Sequence, residues 1–184
     1  MPGNDDRVWL VRWIDRLSGG SGWLIAWLIF PLIVATGFEV FSRYLFNRPT
    51  IWAFELGYMA MGVHFLIGAA YTLREGAHIR IDVLYVHLPP KARAIIDIAG
   101  YLILFLPSVG LVTWGLWDYW TEALESGERS GQSAWNPVIW PFRLLLFTGL
   151  ALLLLQGVAE LIKAVRVLTG KPPARDATHT RELT

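Results

Sequence analysis

Phe38-Glu39-Val40-Phe41-Ser42-Arg43-Tyr44-Leu45-Phe46-Asn47 leads into a short turn and then Trp52-Ala53-Phe54-Glu55. An apolar run follows and ends in Arg74-Glu75-Gly76-Ala77-His78-Ile79-Arg80-Ile81-Asp82. Two hydrophobic spans meet here at a turn too short to hold a domain. The few charges sit where the spans end. The stretch reads as a membrane hairpin, and the rest of the chain as a scaffold that completes it.

Composition agrees. Of 184 residues, 54% are hydrophobic and 17% charged, and the mean hydropathy is +0.44. A soluble domain would carry about a quarter charged residues. Here long stretches carry none, the mark of transmembrane helices. Lipid admits only helices and closed barrels, because backbone groups must pair internally. The apolar runs are continuous rather than alternating, which points to helices. A formal net charge of +1 gives no reason to expect nucleic acid. With no cysteine in the chain, disulfides, thiol catalysis and cysteine-ligated metal are excluded.

Working outward from the hairpin, four spans are expected at about 23–46, 51–73, 94–120 and 138–165. Each is long enough for a hydrocarbon core of roughly 30 Å. Pro31 and Pro107 fall inside spans, where a kink is tolerable. The first span starts late, lacks a small-residue cleavage site and is followed by others, so it does not read as a cleaved signal peptide. Before it, Trp9, Leu10, Trp13 and Leu17 recur at helical spacing with Arg12 and Arg16 off the stripe, as in an interfacial amphipathic helix. Ser18-Gly19-Gly20-Ser21-Gly22 reads as a hinge. The organisation expected is therefore a 1–22 segment with interfacial helix and hinge, a 23–165 four-helix domain and a polar 166–184 tail. Pro89-Pro90 should end the polar connection before the third span.

Twelve of the sixteen lysines and arginines fall in the N-terminal segment, the 74–93 connection and the stretch from Lys163 to the end of the tail. The positive-inside rule places both termini in the cytoplasm. The Asn47 turn and the acidic 121–136 loop then face outward.

Several residues are candidates for function. Glu39 and Arg43 are four apart on one helix face, about 24 Å from Trp23 at 1.5 Å per residue, near the outer boundary. They form either a contact with a partner subunit or a local ion pair. Glu55, at the start of the second span, could join them across the turn near Trp52. Ala53, Gly57, Ala60, His64 and Gly68 share a face whose small residues allow close helix approach, a seam of the hairpin or of a partner. His64 is the only histidine within a span. A bis-histidine haem needs a second, so a hydrogen bond to a neighbouring helix fits better. Arg74, His78, Arg80 and Asp82 make a cytoplasmic loop that anchors to lipid headgroups or docks another subunit. His78 and Asp82 alone are a weak metal site. Asp97, Asp118 and Glu160 lie near span ends. Ion pathways usually need ionisable groups within the membrane, so the chain does not read as the substrate carrier, nor does a catalytic constellation stand out.

The order Arg43-Tyr44-Leu45-Phe46-Asn47, Trp52-Ala53-Phe54-Glu55, Gly68-Ala69-Ala70-Tyr71 and Gly76-Ala77-His78-Ile79-Arg80-Ile81-Asp82 resembles the small membrane subunit of tripartite ATP-independent periplasmic (TRAP) transporters, the DctQ-type family. Leu88-Pro89-Pro90 and Ser130-Gly131-Gln132-Ser133 also fit. One departure is visible: the family often has two adjacent acids after the tryptophan, and here the first is Phe54. The resemblance implies an all-α integral membrane protein of the bacterial inner membrane that is not an enzyme and holds no cofactor or metal. It implies a large permease subunit and a periplasmic solute-binding protein as partners, in sodium-coupled uptake of an organic acid. Glu39, Arg43, Trp52, Glu55, Gly57, Ala60 and His64 are the partner-facing residues this reading suggests. The alternative is a membrane anchor for a haem- or quinone-linked redox enzyme.

Overall fold

A computed structural model describes residues 5–76 and 88–170. Its elements are α1 (Asp5–Trp27), α2 (Ile29–Leu45), α3 (Ala53–Arg74), α4 (Pro90–Ala99), a π-helical segment (Gly100–Phe105), α5 (Leu106–Ser126) and α6 (Trp140–Leu168). Four stretches are long and apolar enough to cross a membrane: Trp9–Leu45, Ala53–Arg74, Lys91–Ser126 and Trp140–Leu168. Among the described residues there is no strand, only an isolated bridge between Arg129 and Val138. The protein is an all-helical multi-pass membrane protein, as its charge-free runs require.

The prolines shape the helices locally. Pro31 has no N–H to give the Trp27 carbonyl, and the first span breaks one turn earlier, at Leu28. There the Leu28 N–H turns back to the Ile25 carbonyl at 3.0 Å. Pro107 leaves the Ile103 carbonyl without its α-helical donor. The turn before it is wound as a π-helix, with the Leu106 N–H reaching the Tyr101 carbonyl, a wide turn that absorbs the missing bond. Pro90 opens α4 with Pro89 held extended, as the residue before a proline must be. The third span therefore begins earlier than expected from hydropathy and runs on to Ser126.

One expectation is overturned. The Ser18–Gly22 stretch is not a hinge, because α1 continues through it to Trp27. Each glycine in a helix costs about 1 kcal/mol relative to alanine, but close approach explains Gly19 and Gly22, while Gly20 faces open space. A Cβ at Gly22 would lie 2.5 Å from the Tyr71 ring, and one at Gly19 would strike the Arg74 guanidinium. The glycines are where α3 crosses α1. On α1 the stripe Trp9, Leu10, Trp13 and Leu17 points outward, while Val11, Ile14, Asp15 and Ser18 are buried.

The centre of the bundle is α6, which lies against α1, α3, α4 and α5. Ala70 and Leu73 of α3 meet Leu150 and Leu153 of α6, with Tyr101, Phe105 and Val109 packed around them. A Cβ at Gly149 would come 2.9 Å from Leu66 Cβ and 3.2 Å from the Ile67 nitrogen, so α3 and α6 touch almost backbone to backbone there. In lipid such packing, rather than expulsion of water, holds helices together. A second cluster joins Val11 and Ile14 of α1 to Ala159 of α6.

Candidate partner interface

At the end of the bundle holding the Asn47 turn, the expected Glu39–Arg43 pair forms. Arg43 Nε donates to Glu39 Oε1 at 2.9 Å and Nη2 at 2.5 Å. The other oxygen, Oε2, accepts from the Thr50 backbone N–H at 2.8 Å and from the Thr50 hydroxyl. Both oxygens of this buried carboxylate are thus taken up in closing the α2–α3 turn. Asn47, at φ 51°, supplies the left-handed residue that asparagine tolerates, and the Ser42 hydroxyl donates to the Arg48 carbonyl. Trp52 stacks on Phe38 with centroids 6.3 Å apart and planes at 17°. Arg43 remains 53% exposed along its side chain, so of the pair it alone presents charge outward.

Glu55 does not join this pair. It is fully buried, and its oxygens accept from the Ser130 hydroxyl and from Ser133 Oγ at 2.6 Å. The carboxylate at the start of α3 therefore holds the α5–α6 loop. Within that loop Ser130 N–H reaches the Pro137 carbonyl at 3.0 Å and Gly131 N–H the Asn136 side chain at 2.9 Å. The sequence allows the three residues to form one cluster; the fold makes two separate clamps.

A third clamp was missed. Arg143, in the first turn of α6, is 3% exposed at its side chain and pairs with Glu128 at 2.7 Å. It also donates to the Tyr119 carbonyl at 3.0 Å and lies 3.4 Å from the centre of the Tyr119 ring. An arginine at the positive end of a helix dipole needs a carboxylate nearby, and that misplacement was the available signal.

The small-residue face of α3 divides. His64 Nδ1 lies 3.1 Å from the Ile25 carbonyl; since a carbonyl only accepts, Nδ1 carries the proton. Ala53 is buried and Ala60 half-buried. A Cβ at Gly57 or Gly68, however, would meet nothing within 4 Å. The seam with α6 uses Gly62, Leu66 and Ala70 instead, which leaves Gly57 and Gly68 open.

At the other end a second missed network ties α1 to α6. Gln156, fully buried, donates to Asp15 Oδ1 at 2.9 Å and Glu160 Oε1 at 3.0 Å, and accepts from Ser18 Oγ at 2.7 Å. Lys163 Nζ bridges the same two carboxylates at 2.9 and 2.8 Å. Gln156, Glu160 and Lys163 recur at spacings of four and three on an apolar helix, a pattern open to inspection in the sequence. Of the expected loop anchor, Arg74 approaches Glu75 at 3.5 Å; His78, Arg80 and Asp82 lie outside the described residues.

With this geometry in place, comparison with known proteins decides the family. Residues 32–167 match the family described as tripartite ATP-independent periplasmic transporters, DctQ component. The chain belongs to the DctQ family. It is similar to the C4-dicarboxylate TRAP transporter small permease protein DctQ of Vibrio cholerae, 30% identical over 115 residues, 62% of this chain and 49% of that protein. The sialic acid TRAP transporter small permease protein SiaQ of Vibrio cholerae is 27% identical over 85 residues, 46% of this chain and 49% of that protein. The sialic acid TRAP transporter permease protein SiaT of Haemophilus influenzae is 26% identical over 96 residues, 52% of this chain and 15% of that protein. The matched stretch thus spans about half the length of the two small permease relatives. No solved structure matches. The DctQ match begins inside α2 and ends in the last turn of α6. It takes in all three clamps and the α6 half of the second network, while Asp15 and Ser18 lie before it.

Proposed function

We propose that this chain is the small scaffold subunit of a tripartite transporter, supporting a large permease subunit in the bacterial inner membrane. A periplasmic binding protein delivers the solute, an organic acid or related compound, and sodium couples the uptake. Both termini face the cytoplasm, and the stripe Trp9, Leu10, Trp13 and Leu17 sits in the headgroup layer. The observation that carries this reading is the family match across α2 to α6.

Two further features support it. The matched stretch is 15% of SiaT, which leaves room in that protein for a much larger permease part. The paired charges of this chain gather at the two ends of the bundle, where Glu39, Glu55, Glu128, Asp15 and Glu160 are each held by its own side chains. A rigid body closed at both ends suits a part that stays still while another moves.

The open Gly57 and Gly68 positions, with Arg43 and Trp52 at the end of the same hairpin, form the docking face of this reading. The test is to tag the chain at its C-terminus, purify it gently from its own membranes and identify what accompanies it. A polytopic partner in roughly equal amount is the expected result. A chain that emerges alone, or with a coloured cofactor, overturns the reading and favours the redox anchor.

A further inference from the structure

Between α5 and α6 lies a cleft of about 400 Å³, open to the outside of the bundle, with Gly110, Trp114, Trp117, Asp118 and Phe147 among its lining. Its walls are almost wholly apolar. The one hydroxyl, on Thr113, is engaged with the Val109 carbonyl at 2.7 Å. Trp117 is fixed edge-on against Phe147 and Trp120, at 5.4 and 5.1 Å between centroids. Trp114 is 73% exposed and forms an outer lip.

Asp118 is the charged group of this cleft. Glu39, Glu55 and Glu128 are held by hydrogen bonds from their own chain, whereas the Asp118 carboxylate has no partner among the described residues. Its neighbour Tyr119 is bonded through its carbonyl to Arg143 in the first turn of α6, which sets Asp118 at the level where the helix enters the bilayer. From Asp118 back to Gly110 is eight residues, about 12 Å of apolar cleft at 1.5 Å per residue.

We propose that this cleft binds a phospholipid with a primary ammonium headgroup from the leaflet bordering the α5–α6 loop. The ammonium donates to the Asp118 carboxylate and rests against the indoles, and one acyl chain runs along the cleft toward Gly110. Charge decides between occupants. An anionic headgroup is repelled by Asp118. A quaternary ammonium gains the cation–π attraction of the tryptophans but has no N–H for a charge-assisted hydrogen bond. An apolar helix seated in the cleft would cover a carboxylate without giving it a partner, which is unfavourable. The proposal rests on the chain lying in a membrane and does not depend on the transporter reading.

The test is native mass spectrometry of the purified full chain, delipidated and then titrated with phosphatidylethanolamine, phosphatidylcholine or phosphatidylglycerol of matched acyl chains. Wild type should retain phosphatidylethanolamine about tenfold better than phosphatidylglycerol, the scale of one charge-assisted hydrogen bond, with phosphatidylcholine between. Asp118→Asn should erase that preference without shifting the melting temperature, Asp118→Glu should keep it, and Trp114→Ala should lower retention of phosphatidylethanolamine. Equal retention of the three lipids by wild type, or a preference that survives Asp118→Asn, overturns the proposal. So does a co-purified polypeptide whose crosslinks map to Trp114.

Discussion

Glu55 Oε2 accepts a hydrogen bond of 2.6 Å from Ser133 Oγ across 78 residues of chain. With Ser130 on the other oxygen, a single buried carboxylate fixes the α5–α6 loop over the start of α3. Glu55→Ala should lower stability by about 1–3 kcal/mol, the cost of leaving buried polar groups unmatched. Ser133→Ala should cost less, because Ser130 still serves the carboxylate. Melting of the purified protein in detergent measures both. In the double variant the two effects should fall short of additive, since they share one interaction; full additivity would show the contact to be idle.

The Arg143–Glu128 pair is lopsided, and the asymmetry has a consequence. Arg143 is 3% exposed and Glu128 44%. Glu128→Ala strands a buried cation on a carbonyl and a ring, and should cost about 3 kcal/mol or more. Arg143→Met removes the charge at similar volume and leaves a carboxylate that water reaches, so it should cost clearly less. Thermal melting of the two variants side by side decides the order, and the reverse order would place the burial on the wrong partner.

What the sequence shows and what it hides divides along contact distance. The span number follows from charge-free runs, because lipid leaves the backbone no other choice. The Glu39–Arg43 pair is visible because four residues on a helix are neighbours in space. Ser130 and Ser133 lie 75 and 78 residues from Glu55, and no local pattern couples them. The glycines of α1 mislead for the same reason. Taken alone, Gly19, Gly20 and Gly22 look like a flexible joint; beside Arg74 and Tyr71, Gly19 and Gly22 are the surface on which another helix lies. Asp15 falls within the expected interfacial helix, and nothing local marks it, because its partner Lys163 is 148 positions on.

That inner network predicts how α1 is held. Lys163 is the cation shared by Asp15 and Glu160. Lys163→Met leaves the buried Asp15 carboxylate facing the half-buried Glu160 and should cost about 3 kcal/mol. Adding Asp15→Asn should restore part of the loss, because one of the opposed charges is gone. A disulfide between Ile14→Cys and Ala159→Cys, in the cluster joining α1 to α6, reports the docking directly. It should form readily in the otherwise unaltered chain and poorly with Lys163→Met. Equal crosslinking in both backgrounds would mean that packing of Val11 and Ile14 holds α1 without the ion pairs.

The glycines of α3 and α6 separate internal packing from partner docking. Gly149→Val should disrupt the subunit itself, because the added carbon meets the backbone of Ile67 as well as Leu66, and overpacking of this kind costs about 1–3 kcal/mol. Gly57→Leu and Gly68→Leu enter open space and should leave the melting temperature of the isolated subunit nearly unchanged. If the face they share docks a large permease, both should reduce its co-purification several-fold while Gly149→Val lowers the yield of the subunit itself. Arg43→Ala should weaken the same association more mildly, since its exposed guanidinium lies at the rim and a solvated charge contributes little. A partner retained undiminished by both glycine variants would assign this face of α3 to lipid and move the docking surface to the outward side of α2, where Ile33, Val34 and Phe41 are exposed.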